Sequence, residues 1–404
     1  MPGLAKVDRK IAAPALCLYE VIRRNPMTTV KIGVRYFKRA EGVVAGSCHR
    51  RRLIFLYPDA RWLRMASTKT VSSGATYLYN ARYASQSEHA MSLFVRGFMK
   101  ITFCCTNTDA QPWLEGLRAA LPQAQISLWQ PGAAPADHAI VWAPPQQFFD
   151  EQSQLKGIFA IGAGVDALLK LDLPEQSVLV RLDDAGMAVQ MAEYVCQAVI
   201  RHFRELDLYA QDISAGQWTF HKPRQRVDFP VGVLGLGVLG ARVAQALAHF
   251  EFPVNGWSRT PKVLEGVKGF HGPAQFNDFL ASSRVLVNLL PLTAETSNIL
   301  NHASLSRLQP GAYLINVARG AHLVEQDLLA LLDSEQLAGA TLDVFRVEPL
   351  PLDHPFWQHP KITLTPHTSA RTLRETSIAQ IAGKIAALQR GETVAGVVER
   401  VRGY

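Results

Sequence analysis

Three side chains of complementary chemistry, Arg319, Glu348 and His367, each stand a few residues past the end of an apolar run. A guanidinium can grip a carboxylate through paired hydrogen bonds. An imidazole transfers protons near neutral pH, and a carboxylate beside it favours the imidazolium and fixes its orientation. Together they suit reduction of a 2-oxo acid, which needs a cation for the carboxylate and carbonyl, a proton donor for the developing alkoxide, and a hydride source. Taken singly each has a blander reading, since a histidine before a threonine is more often structural than catalytic. Taken jointly, at successive strand ends of one sheet, catalysis is the better account. No His/Cys/Asp cluster has the look of a metal site, and hydride transfer needs no metal.

The elements that must position them begin at Val231–Gly240, VGVLGLGVLG, followed by ARVAQALAHF. An apolar strand turns into a helix through G-x-G-x-x-G at Gly235, Gly237 and Gly240, a spacing that permits a tight turn, close approach of a pyrophosphate, and helix-on-strand packing. The free N–H groups at the helix start, near Val238 and Leu239, favour phosphate. A second strand, PVNGW at 253–257, leads to Ser258-Arg259-Thr260, where an NAD-preferring site would carry an acid for the ribose 2′-OH. Arg259 can instead fork onto a 2′-phosphate, with Ser258 and Thr260 as further donors, so the sequence predicts NADP(H), with NADH the weaker cofactor.

The 404 residues are 48% hydrophobic, ample for two cored domains, and no apolar run reaches the length of a membrane span. Five cysteines without regular spacing suit a reducing cytoplasm. The net charge of +8 is uneven: residues 1–98 hold 17 Lys/Arg against 5 Asp/Glu, and the rest hold 25 against 29. The basic character therefore belongs to the first segment, and the body offers no nucleic-acid-binding signal. Residues 1–98 read as a disordered extension: a basic arm, a targeting segment or, best supported, upstream sequence read through to a start at Met99.

From Met99 onward strands and helices alternate, which predicts an α/β fold of two doubly wound, Rossmann-like parallel-sheet domains with the site in the cleft between them. KITFCC, QISLW, HAIVW and GIFAIGAG read as strands of the first, with a helix over Trp113–Leu121. Gly162–Asp166 ends the last of these runs, either as a backbone nest for a carboxylate or as a plain turn with Asp166 capping a helix. Trp142 is a pocket wall or a core residue. Ala188–Tyr209 reads as one helix joining the domains, and Asp212–Pro230 as an exposed excursion able to reach a partner subunit. The second domain continues through SRVLVNLLPLT (283–293), a helix over LSRLQP, AYLINVARG (312–320), a helix Glu325–Leu332, ATLDVF (340–345) and ITLTPH (362–367). A last helix, Ala379–Leu388, packs back on the first domain.

GLGVLG with SRT after the second strand, NLLPLTAET, INVARG, LDVFRVEPL and TPHTSA resemble the D-isomer-specific 2-hydroxyacid dehydrogenases over Met99–Tyr404. AIGAGVD, WSRT, the LDVFRVEPLP…PFWQHP run and the final RGY most resemble the bacterial glyoxylate/hydroxypyruvate reductase branch. The resemblance implies Arg319 as the substrate-binding arginine, Glu348 as the histidine's partner and His367 as the proton donor. It places Asp343 near the nicotinamide carboxamide and the Gly164 and Val165 amides at the substrate carboxylate, with Trp142 beside them. The expected cofactor contacts are Gly235, Gly237, Val238, Leu239, Ser258, Arg259, Thr260, Leu290, Pro291, Val317, Ala318 and Asp343. Ala370 stands where many relatives have glycine. The implied organisation is residues 99–203 with about 370–404 for substrate and 204–369 for NADP, in a cytoplasmic homodimer acting on a small 2-oxo acid. The implied reaction is NADPH-dependent reduction of glyoxylate and hydroxypyruvate. The alternatives are another 2-oxo acid, or a dinucleotide-sensing interaction protein on the same fold.

Overall fold

The computed structural model describes residues 98–404, together with the backbone of Glu20–Val21 and Ile32–Gly33. The chain divides into two units, Met1–Gln86 and Ser87–Tyr404. In the first, the two short strands pair antiparallel, and the expectation of a disordered or read-through extension lies outside the described residues. The second unit holds two parallel sheets.

Its first sheet holds β1 (Met99–Cys105), β2 (Ala124–Leu128), β3 (His138–Trp142), β4 (Gly157–Ala160) and β5 (Val178–Val180), in the order β2-β1-β3-β4-β5. All pairs are parallel, as helical crossovers require. Helix α1 (Ala110–Ala120) starts earlier than its apolar spacing indicates because Asp109 caps it, accepting the Gln111 N–H. Helix α2 (Gln146–Glu151) follows β3.

Helix α3 (Met187–Phe203) and helix α4 (Leu206–Ser214) replace the single helix expected over Ala188–Tyr209. Glu205 breaks it with a left-handed φ of 54°. Ion pairs hold the break, Glu205 with Arg224 at 2.6 Å and Arg201 with Asp207, and Leu206 is consequently exposed.

The second sheet comprises β6 (Val231–Leu234), β7 (Val254–Ser258), β8 (Val267–His271), β9 (Val285–Asn288), β10 (Ala312–Asn316), β11 (Leu337–Leu342) and β12 (Ile362–Leu364). Their order is β8-β7-β6-β9-β10-β11-β12, all parallel, the doubly wound arrangement with its switch point at β6/β9. Helices α5 (Val238–His249), α6 (Phe276–Ala281), α7 (His302–Leu305) and α8 (Glu325–Asp333) cover it. Strands β6 and β9 are buried throughout, which explains their unbroken apolar text. Strands β5 and β8 escaped the sequence reading. The first is three residues long, and the second is an edge strand with Lys268 and Gly269 exposed. Strand β9 stops at Asn288 rather than Pro291, because the Asn288 side chain turns back to accept the Leu290 N–H. No helix forms over LSRLQP: the single turn α7 ends at Leu305, where that stretch begins, and is fixed by a reciprocal Asn301–Ser304 cap.

Helix α3 packs in the core of the second sheet, where Met191, Val195 and Val199 meet Val231, Val243 and Val285. Helix α9 (Arg374–Gln389) packs on the other sheet. It returns to the first sheet and places Ile378, Ile381 and Ile385 among Ile101, Phe103 and Leu117.

Candidate functional site

The turn after β6 is dictated by what cannot fit there. Gly235 has φ 103°, a region side chains avoid, and a Cβ on Gly240 would fall 1.8 Å from the Gly235 carbonyl oxygen. Gly237 caps α5 and faces open space within 4 Å, so the first amides of the helix are approachable from outside. Val238 is exposed beside them, while Leu239 packs against the core. At the end of β7 the hydroxyl of buried Ser258 donates to the Thr260 carbonyl at 2.8 Å and shapes the turn, instead of facing outward as the donor expected from sequence. Arg259 and Thr260 are exposed, and among the described residues the Arg259 guanidinium makes no hydrogen bond or ion pair.

Two buried asparagines shape the next pair of strand ends. Asn288 donates to Asn316 Oδ1 at 3.0 Å, and Asn316 donates to the Arg319 carbonyl at 3.1 Å. Leu290, Val317 and Ala318 are buried by these turns, and Pro291 is exposed with its carbonyl accepting from Thr296.

The Arg319 guanidinium crosses to the first sheet. Nε donates to Asp166 Oδ1 at 2.9 Å and Nη1 to the Ala318 carbonyl at 2.7 Å. Nη2 lies against Gly164, where a Cβ would come within 1.5 Å of it. Asp166 therefore caps no helix: the short 3₁₀ turn Leu168–Lys170 starts after Ala167 without a side-chain cap, and the carboxylate orients Arg319. Val165 is buried, and the N–H groups of Gly164 and Val165 have no backbone acceptor among the described residues. Trp142 is 38% exposed, so it is no core residue; its ring lies over Gly162, where a Cβ would meet Cζ3 at 2.3 Å.

His367 and Glu348 meet as their spacing past β11 and β12 suggests. Nδ1 of His367 is 2.7 Å from Glu348 Oε2, and Glu348 Oε1 accepts the Phe345 N–H at 2.9 Å. Burial raises the Glu348 pKa, but the hydrogen bonds from His367 and Phe345 and the charges of His367 and Arg319 outweigh it and hold the carboxyl below its usual range. Nε2 of His367 has no partner among the described residues, and the side chain is 45% exposed.

The aim of the histidine depends on partners that no local pattern announces. His367 has φ 53°, left-handed for a residue with a side chain. Its N–H donates to the Asp343 carbonyl at 2.8 Å. The fully buried Asp343 carboxylate accepts from the Thr365 hydroxyl at 2.6 Å, the Thr368 N–H at 2.8 Å and the Ser369 N–H at 2.9 Å. Tyr194 on α3 bonds Thr365 in turn at 2.5 Å. Asp343 thus builds the loop that carries His367, and both its carboxylate oxygens are engaged there.

A family model for the D-isomer specific 2-hydroxyacid dehydrogenase NAD binding domain matches residues 196–369. A glyoxylate/hydroxypyruvate reductase A from Serratia proteamaculans is 50% identical over 313 residues, which are 76% of this chain and all of that protein. The chain belongs to this family. Among solved structures, the family member from Xanthobacter autotrophicus Py2 in complex with NADPH and MES is 40% identical with a TM-score of 0.73. The NADPH-dependent glyoxylate/hydroxypyruvate reductase of Sinorhizobium meliloti, in complex with NADP and sulfate, is 32% identical with a TM-score of 0.71. Each covers 76% of this chain and 100% of its own. The two parallel-sheet domains are those of the family. No described helix is long and apolar enough to cross a membrane.

Proposed function

We propose that the chain reduces glyoxylate to glycolate and hydroxypyruvate to D-glycerate with NADPH, NADH serving less well. The observation that carries this reading is the His367 ring, held through Nδ1 by Glu348 at 2.7 Å with Nε2 open. The Nη2 edge of Arg319 and the amides of Gly164 and Val165 hold the substrate carboxylate. Nε2 of His367 gives its proton to the carbonyl oxygen as that atom becomes an alkoxide, and the Glu348 carboxylate steadies the imidazolium before transfer. NADPH, when bound, supplies the hydride to the carbonyl carbon. The residues present fit such a cofactor: open amides at the start of α5, and at the end of β7 no carboxylate but an exposed arginine with no hydrogen bond or ion pair among the described residues. Trp142, lying over Gly162, walls a pocket for a short 2-oxo acid.

The proposed division of labour assigns residues 99–203 with about 370–404 to substrate and 204–369 to cofactor. The packing of α3 on the second sheet favours a boundary nearer residue 187. The proposed assembly is a cytoplasmic homodimer; exposed Leu208 on α4 and Ile213, Trp218 and Phe220 on the Asp212–Pro230 excursion support the self-association.

Steady-state oxidation of NADPH and NADH with glyoxylate, hydroxypyruvate and pyruvate tests the reading. Turnover highest with the first two and NADPH is expected, whereas activity confined to branched or aromatic 2-oxo acids refutes the small-substrate assignment. Arg259→Ala is expected to raise KM for NADPH about tenfold or more, the scale of a charge-assisted hydrogen bond, with little change for NADH. An equal effect on both cofactors refutes the role of Arg259.

A further inference from the structure

The Arg402-Gly403-Tyr404 string has no role in the proposed chemistry. The segment leading to it is fastened to the first sheet. Val397 bridges to Val180, the Val398 N–H donates to the Leu179 carbonyl at 2.8 Å, and the Arg181 N–H donates to the Gly396 carbonyl at 2.9 Å. Arg400 Nη2 donates to the Pro174 carbonyl at 2.9 Å and the Ser177 hydroxyl at 2.7 Å. Beyond this anchor the chain reaches the other sheet's loops. A Cβ on Gly403 would lie 3.6 Å from Thr293 Cγ2, and the Tyr404 ring lies against Arg259, its centroid 5.3 Å from Cζ.

An aromatic ring this close to a guanidinium attracts it and narrows the rotamers it adopts, and the Arg259 N–H groups have no hydrogen-bond partner among the described residues. An exposed arginine otherwise samples many rotamers, and fixing it costs side-chain entropy. The nearby Glu295 carboxylate is engaged elsewhere, accepting the Thr293 hydroxyl at 2.7 Å. That hydrogen bond first, and the Arg259 charge to a lesser degree, hold its pKa below the usual range.

We infer that Tyr404 is a positioning residue for cofactor choice: it holds Arg259 with its N–H edges presented to a phosphate on the ribose 2′ position. Part of the discrimination between NADPH and NADH then resides in a segment anchored on the opposite lobe. This inference rests on the proposed role of Arg259.

The test is calorimetric binding of 2′,5′-ADP, 5′-AMP, NADPH and NADH to the full chain. Tyr404→Ala is expected to weaken 2′,5′-ADP and NADPH about 2- to 5-fold, the scale of an exposed cation–π contact, and to leave 5′-AMP and NADH unchanged. Tyr404→Phe retains wild-type selectivity, and in an Arg259→Ala background Tyr404→Ala adds nothing. Equal weakening of both ligand pairs, no weakening, or the same loss without Arg259 overturns the inference. If Arg259→Ala is selective for the 2′-phosphate and Tyr404→Ala is not, the inference alone fails. If Arg259→Ala itself is unselective, the underlying reading fails with it.

Discussion

The turn after β6 and the loop after β12 both emerge at the carboxyl end of one parallel sheet, and opposite means hold them. The Gly235–Gly240 turn is fixed by missing side chains, through a left-handed φ and a helix approach that leave no room for a Cβ. The His367 loop is fixed by supplied groups, because the Asp343 carboxylate and carbonyl gather its backbone and hold the histidine at a positive φ. Backbone-built binding turns carry their information in a short string of residues. A catalytic side chain's aim is written into buried polar partners elsewhere in the chain.

The largest expected effect tests the second of these. His367→Ala is expected to lower kcat by about 10²-fold or more in steady-state NADPH oxidation, the scale of general acid catalysis; unchanged turnover removes the comparison altogether. Asp343→Ala follows. It leaves the N–H of half-buried Thr368 and of buried Ser369 without their acceptor, at about 1–3 kcal/mol for the buried one and less for the other. A lower denaturant midpoint together with reduced kcat is expected, and a stability loss with kcat intact would separate the loop's fold from its chemistry. On the glycine side, Gly240→Ala forces the helix off the turn, with an overpacking cost of about 1–3 kcal/mol. Fluorescence titration should then show NADPH and NADH weakened alike, by about tenfold, with no preference between them.

Smallest is the acid response of Glu348. Its carboxyl is held below the ordinary range, so its contribution to stability is present above the unfolded carboxylate pKa of about 4.3 and is lost as pH falls through the folded value. Thermal melts of wild type and Glu348→Gln should therefore differ near neutrality and converge as pH drops below about 4. A constant gap across that window would assign the difference to packing instead.

This contrast also explains which parts were legible in advance. Periodicity located the strands of both sheets where they are buried on both faces, as at β6 and β9, and failed at the three-residue β5 and the half-exposed edge β8. Arg319, Glu348 and His367 stood out because each follows an apolar run, and the structure brings His367 onto Glu348 and Arg319 against the Gly164 loop. The Asp166–Arg319 pair links residues 153 apart, and the bonds of Asp343 to its loop span more than twenty, so no local pattern announces either. Ser258 illustrates the converse: a hydroxyl at the right position is already engaged by its own turn.

The return of α9 to the first sheet sets a temporal order on the molecule. The core of the second sheet is drawn from one uninterrupted stretch, whereas the first borrows Ile378, Ile381 and Ile385 from far downstream. A chain emerging from the ribosome therefore exposes β1–β5 early, with an unsealed apolar flank, and closes that flank only after the later lobe has been made. The half synthesised first is the half completed last.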